Sequence, residues 1–73
     1  MKVVIRKVKH DYPGSTFRRV DAVLSNGAAI PLFGVSKETR RGITLYESDT
    51  TAQTWRTLAQ VKAYAGEVYG AKP

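Results

Sequence analysis

The chain has 73 residues with no cysteine, 42% apolar and 25% charged residues, and a formal net charge of +6. That length lies near the lower limit for a self-supporting hydrophobic core, so one domain is expected, and the missing thiols exclude disulfide staples, Cys-type zinc sites and cysteine nucleophiles. The composition is too apolar for a disordered segment. No apolar run approaches the roughly 20 residues that span a bilayer, and no signal-peptide core follows Lys2, so a cytoplasmic protein without membrane attachment is the expectation.

The run from Lys2 to His10 is β-branched and basic and reads as a first strand, closed by Tyr12-Pro13-Gly14-Ser15, in which Pro then Gly suits a type II turn. A second strand over 16–25 and a third over 28–35 flank Asn26-Gly27, the dipeptide that most favours a two-residue hairpin loop because both residues tolerate positive φ. Such a loop pairs Leu24 with Ala29, Ala22 with Pro31 and Val20 with Phe33 on a core face, and Val23 with Ile30 and Asp21 with Leu32 on the other. Pro31 cannot donate a ladder hydrogen bond, which predicts an edge or a bulge at that point.

Lys37 to Gly42 reads as a charged turn and residues 43–47 as a short fourth strand. Thr50 with Gln53 three residues on is a capping-box spacing, and Asp49 adds negative charge at the positive end of a helix dipole. A helix is therefore expected over 51–68 with Gly70 as its C-cap. On a wheel of about 100° per residue its polar stripe is narrow, and the remainder divides into a bulky side and a small one. A homodimer through Trp55, Ala59, Val61, Tyr64 and Val68 would cover the surplus apolar surface; equally, alanine is a good helix former that tolerates exposure. The expected fold is thus α+β, a small antiparallel sheet of three to four strands followed by one C-terminal helix.

Little in the sequence carries chemistry. His10 is the single histidine, the serines at 15, 25, 36 and 48 sit at turns and element ends, and Glu47 with Asp49 is the one close acidic pair, explained by the helix start. Gly34-Val35-Ser36-Lys37 lacks phosphate-loop spacing. No catalytic residue, metal ligand or cofactor is assigned, and an enzyme is not expected.

Charge is the informative feature. Residues 1–41 hold nine basic and three acidic side chains, whereas residues 42–73 hold three of each, so the whole excess lies in the first part of the chain. Such asymmetry favours polyanions, either nucleic acid or an acidic protein surface. If Pro13-Gly14 forms a two-residue loop, Lys9 faces Arg18 with Lys7 beside them, and Arg6 faces Asp21 on the opposite side. Lys7, Lys9, Arg18, Arg19, Lys37, Arg40 and Arg41 are the candidate phosphate contacts, with Tyr12 and Phe17 placed to stack on bases. Two functions follow. The first is a nucleic-acid-binding regulatory domain for DNA or RNA, and the second is a protein-interaction module, such as an inhibitor or accessory factor of phage or mobile-element type, that meets an acidic protein surface.

Overall fold

The computed structural model describes residues 1–8 and 16–70. Five strands and one helix follow in chain order: β1 (Lys2–Lys7), β2 (Arg18–Val23), β3 (Ala29–Arg40), β4 (Ile43–Ser48), β5 (Thr54–Trp55) and α1 (Leu58–Tyr69). The strands form one antiparallel sheet in the order β1-β2-β3-β4-β5, every neighbour in sequence being a neighbour in space. The architecture is α+β with a C-terminal helix, as expected, but the strand count is five rather than three to four.

The Asn26-Gly27 hairpin forms with a longer loop than expected. The Gly27 N–H donates to the Leu24 carbonyl at 2.9 Å, and the Leu24 N–H donates to the Ala28 carbonyl at 2.8 Å. Gly27 alone in this loop takes positive φ, +87°. This is a type I turn completed by a left-handed glycine, a three-residue loop, and Asn26 serves it by accepting the Ala28 N–H on its side chain at 3.0 Å. The extra loop residue moves the register by one, so Val23 pairs with Ala29, Ala22 with Ile30 and Asp21 with Pro31. A bulge between Val20 and Asp21, with Leu32 as the extra residue, then restores Val20 opposite Phe33. The pairs expected for Leu24, Val23, Ala22 and Asp21 are thereby corrected, and of the edge or bulge expected at Pro31 the bulge is present.

The segment expected as a charged turn is strand. β3 runs through Lys37 to Arg40, and the reversal occurs in Arg41-Gly42 alone, with φ +53° and +77°. Two consecutive residues with positive φ between paired strands make a type I′ turn, here built on an arginine where asparagine or glycine is usual.

The helix begins seven residues later than expected. Trp55 pairs with Tyr46 in the short β5 and is buried, its ring centroid 5.9 Å from that of Phe33 and 5.1 Å from that of Tyr64. Burying an indole there decides the local structure, and the helix starts once Trp55 has been placed. Thr57 is the N-cap, accepting the Gln60 N–H on its hydroxyl at 3.2 Å, while the Gln60 side chain accepts the Arg56 N–H at 2.8 Å. Gly70 closes the helix at φ +70°. The Thr50 segment instead forms the loop between β4 and β5. There the Ser48 hydroxyl accepts the N–H groups of Thr50 and Thr51 at 3.2 and 3.4 Å.

Strand alternation assigns the two sheet faces. Val3, Val20, Phe33, Val35 and Trp55 lie on the face covered by α1, where they join Val61 and Ala65 in the core. The opposite face carries Arg6, Arg19, Asp21, Gly34, Glu38, Arg40 and Glu47.

Candidate functional site

The register divides the basic residues between the two faces. On the helix-bearing face, Lys7 stands directly opposite Arg18 across the β1/β2 ladder, and Arg18 stands opposite Val35, two residues before Lys37 on β3. Lys7, Arg18 and Lys37 therefore share one corner of this face. Lys7 and Lys37 are exposed and Arg18 is half-buried. The Arg18 guanidinium is oriented by donating to the Phe17 carbonyl at 3.1 Å. The Lys37 backbone is tied to Thr16, whose hydroxyl donates to the Lys37 carbonyl at 3.0 Å and accepts its N–H at 3.1 Å. Among the described residues none of these three cations has an acidic partner.

On the other face the cations are neutralised. Asp21 is almost fully buried, 1% exposed, and its carboxylate meets the Arg19 guanidinium at 3.3 Å and Arg6 Nε at 3.8 Å. Arg6 thus reaches Asp21 as the sequence suggested, but diagonally: its direct partner across the ladder is Arg19, and the residue facing Asp21 is Val4. The pairing expected between Lys9 and Arg18 is likewise replaced by Lys7 with Arg18. Arg40 bridges Glu38 at 2.6 Å and Glu47 at 2.7 Å. The Glu47 hydrogen bond and then that of Glu38 raise its pKa above the ordinary arginine value. Arg41 occupies the β3/β4 turn, exposed. Lys9 and Tyr12 lie outside the described residues.

Phe17 lies beside a feature that sequence reading missed. Gly34 pairs with Arg19 on one side, and on the other it exchanges two hydrogen bonds with Asp49. Its N–H donates to the Asp49 carboxylate and its carbonyl accepts the Asp49 N–H, both at 2.9 Å. A Cβ at position 34 would stand 2.3 Å from the Phe17 ring, so the absent side chain is what lets the ring lie against the backbone. Around it opens a groove of about 420 Å³ lined by Phe17, Arg19, Pro31, Leu32, Phe33, Gly34, Asp49 and Thr50. The sequence signal was available in Gly34 itself, a glycine inside a strand that marks close approach.

The residues expected at an oligomer interface separate in the same way. Trp55 and Val61 are buried in the chain's own core, and Tyr64 packs against it. Within α1 itself Val61 and Ala65 are the buried residues. Ala59 and Val68 remain exposed.

No helix among the described residues is long and apolar enough to cross a membrane. The chain matches no family model, no curated protein and no solved structure.

Proposed function

We propose that this chain is a non-enzymatic nucleic-acid-binding protein that takes phosphates at the Lys7, Arg18 and Lys37 corner of its sheet. The observation that carries the reading is the opposition of Lys7 and Arg18 across one antiparallel pair with Lys37 on the same face and no acidic partner among the described residues. Like charges placed directly opposite each other destabilise a sheet, and an anion held between them converts that cost into binding. The pairing of Arg6, Arg19 and Arg40 with Asp21, Glu38 and Glu47 sharpens the contrast, because Lys7, Arg18 and Lys37 are neighbouring cations without such a partner among the described residues.

Fluorescence anisotropy with labelled single- and double-stranded DNA and RNA at several salt concentrations tests the proposal. Three phosphate contacts predict a slope of log affinity against log salt of about −2 for a single strand, and Arg18→Gln should reduce its magnitude by about 0.7. Affinity indifferent to salt, or unchanged in a Lys7→Glu/Arg18→Glu variant that still folds, would discard the site. Absence of binding at low salt would leave an acidic protein surface as the polyanion.

A further inference from the structure

We propose that β1 is a docking edge whose free backbone takes an extended acidic segment of another polypeptide as an added antiparallel strand. Lys2, the residue that most distinguishes this surface, lies outside the phosphate corner proposed above, so the two surfaces stand or fall separately.

β1 is the first strand in the sheet order and pairs with β2 alone, in unbroken register over all six of its residues. In an antiparallel pair, successive residues turn their N–H and C=O groups alternately toward the partner strand and away from it. Every second residue of Lys2–Lys7 therefore points both groups away from β2, and among the described residues no other strand lies on that side. Proteins close such edges with a proline, a bulge or a very short strand. The opposite margin of the sheet ends in that way, on the two-residue β5, whereas β1 has neither proline nor bulge. Its centre, Val3-Val4-Ile5, is apolar, and Val4 and Ile5 are half-buried, one on each face, so both can take cross-strand contacts.

Charge selects what pairs there. Lys2, Arg6 and Lys7 are exposed, and β1 contains no acidic residue. Lys2 and Lys7 meet no carboxylate among the described residues, and Arg6 shares the one carboxylate of Asp21 with Arg19. A second copy of the chain would pair β1 with β1 about a two-fold axis. Centred on Val4, that pairing sets Lys2 against Arg6 twice; centred on Ile5, it sets Arg6 against Val4 and Lys7 against Val3. Like charges directly opposite are destabilising, so the edge discriminates against its own copy and in favour of a strand with Asp or Glu at those positions. Nucleic acid does not fit this edge, because phosphates offer acceptors alone and leave the strand's outward carbonyl groups without donors.

The test uses a cyclic peptide hairpin whose outer arm reads Glu-Glu-Val-Thr-Val-Glu, so that the strand is extended before it binds. Run antiparallel to β1, its glutamates fall opposite Lys7, Arg6 and Lys2. Titrated into the isotope-labelled full chain, it should slow amide hydrogen exchange at alternate residues of β1. Each opposite-charge pair is a factor of about 1.5–5 in affinity, so replacing the three glutamates by glutamine should weaken binding about tenfold. Lys2→Glu should weaken binding of the acidic hairpin, and a hairpin with lysine at the facing position should restore it. Exchange unchanged in β1, or equal affinity for the glutamine hairpin, overturns the proposal. So does a hairpin N-methylated along the free edge of its outer arm that binds as well as the unmodified one, because charge attraction without backbone pairing would then account for the contact. Exchange in β1 that slows with protein concentration in the absence of peptide would overturn the acidic occupant and assign the edge to a second copy. Each result is independent of the salt slope that tests the phosphate corner.

Discussion

Replacing Gly34 by alanine places a methyl group where the Phe17 ring and the Asp49 carboxylate now lie. The added carbon would stand 2.3 and 2.6 Å from two ring atoms and 2.7 Å from Asp49 Oδ2. Ordinary contact begins near 3.4 Å, so the ring must retreat by about 1 Å, and the carboxylate must move with it. Forcing a methyl into an occupied space costs about 1–3 kcal/mol. Weakening the 2.9 Å bond from the Gly34 N–H to a charged acceptor adds to this cost. The smaller entropy of an unfolded alanine chain returns about 0.4–1 kcal/mol. A net loss of about 2 kcal/mol lowers the thermal midpoint of a domain this small by about 8–16 °C. Thermal denaturation followed by circular dichroism reads it directly, and a double-mutant cycle identifies its cause. With Phe17→Ala already in place the main obstacle is gone, so the cost of Gly34→Ala should fall below about 1 kcal/mol. An unchanged midpoint in Gly34→Ala, or an equal loss in both backgrounds, would refute the close approach of Phe17 to the β3 backbone.

Two further substitutions probe the turn and helix signals. Arg41 holds a left-handed conformation that suits asparagine better, so Arg41→Asn should raise stability by about 0.5–1 kcal/mol in a denaturant titration, and a loss would argue against the type I′ turn. Thr57→Ala should cost about 1 kcal/mol by removing the helix N-cap, whereas Thr50→Ala should cost no more than about half of that; comparable losses, or the reverse order, would place the helix start elsewhere.

The helix boundary shows why a local signal was not sufficient. Thr50 with Gln53 and Thr57 with Gln60 have the same spacing, and sequence alone does not rank them. The tie is broken at a distance, by the stacking of Trp55 on Phe33 and its pairing with Tyr46, contacts separated by 22 and 9 residues along the chain. The β3/β4 turn was hidden for a related reason. Arginine has no preference for positive φ, so Lys37 to Arg40 read as a loop until their pairing with β4 was seen. By contrast the antiparallel sheet, the C-terminal helix and its Gly70 cap were legible, because β-branched runs, helical periodicity and a terminal glycine act within a few residues.

The division of the cations into a paired set and an unpaired set depends on register, and here the errors of a sequence reading have a definite parity. Moving β1 by two residues against β2 exchanges Lys9 for Lys7 opposite Arg18 but keeps every side chain on its face, because the pleat repeats every two residues. A shift of one would instead have turned β1 over, placing Arg6 on the helix-bearing face and moving Lys7 to the face of Asp21. The β2/β3 hairpin does make a one-residue shift at its loop, and the bulge at Leu32 cancels it before the ladder reaches Phe33, Gly34 and Val35. That cancellation places Arg18 opposite Val35 and Arg19 opposite Gly34, so that one arginine faces the unpaired lysines and the next faces the groove. The bulge beside Pro31 takes up Leu32 without displacing the ladder beyond it, so a deletion of Leu32 should keep Arg18 opposite Val35 and Arg19 opposite Gly34 and remove only one wall of the groove.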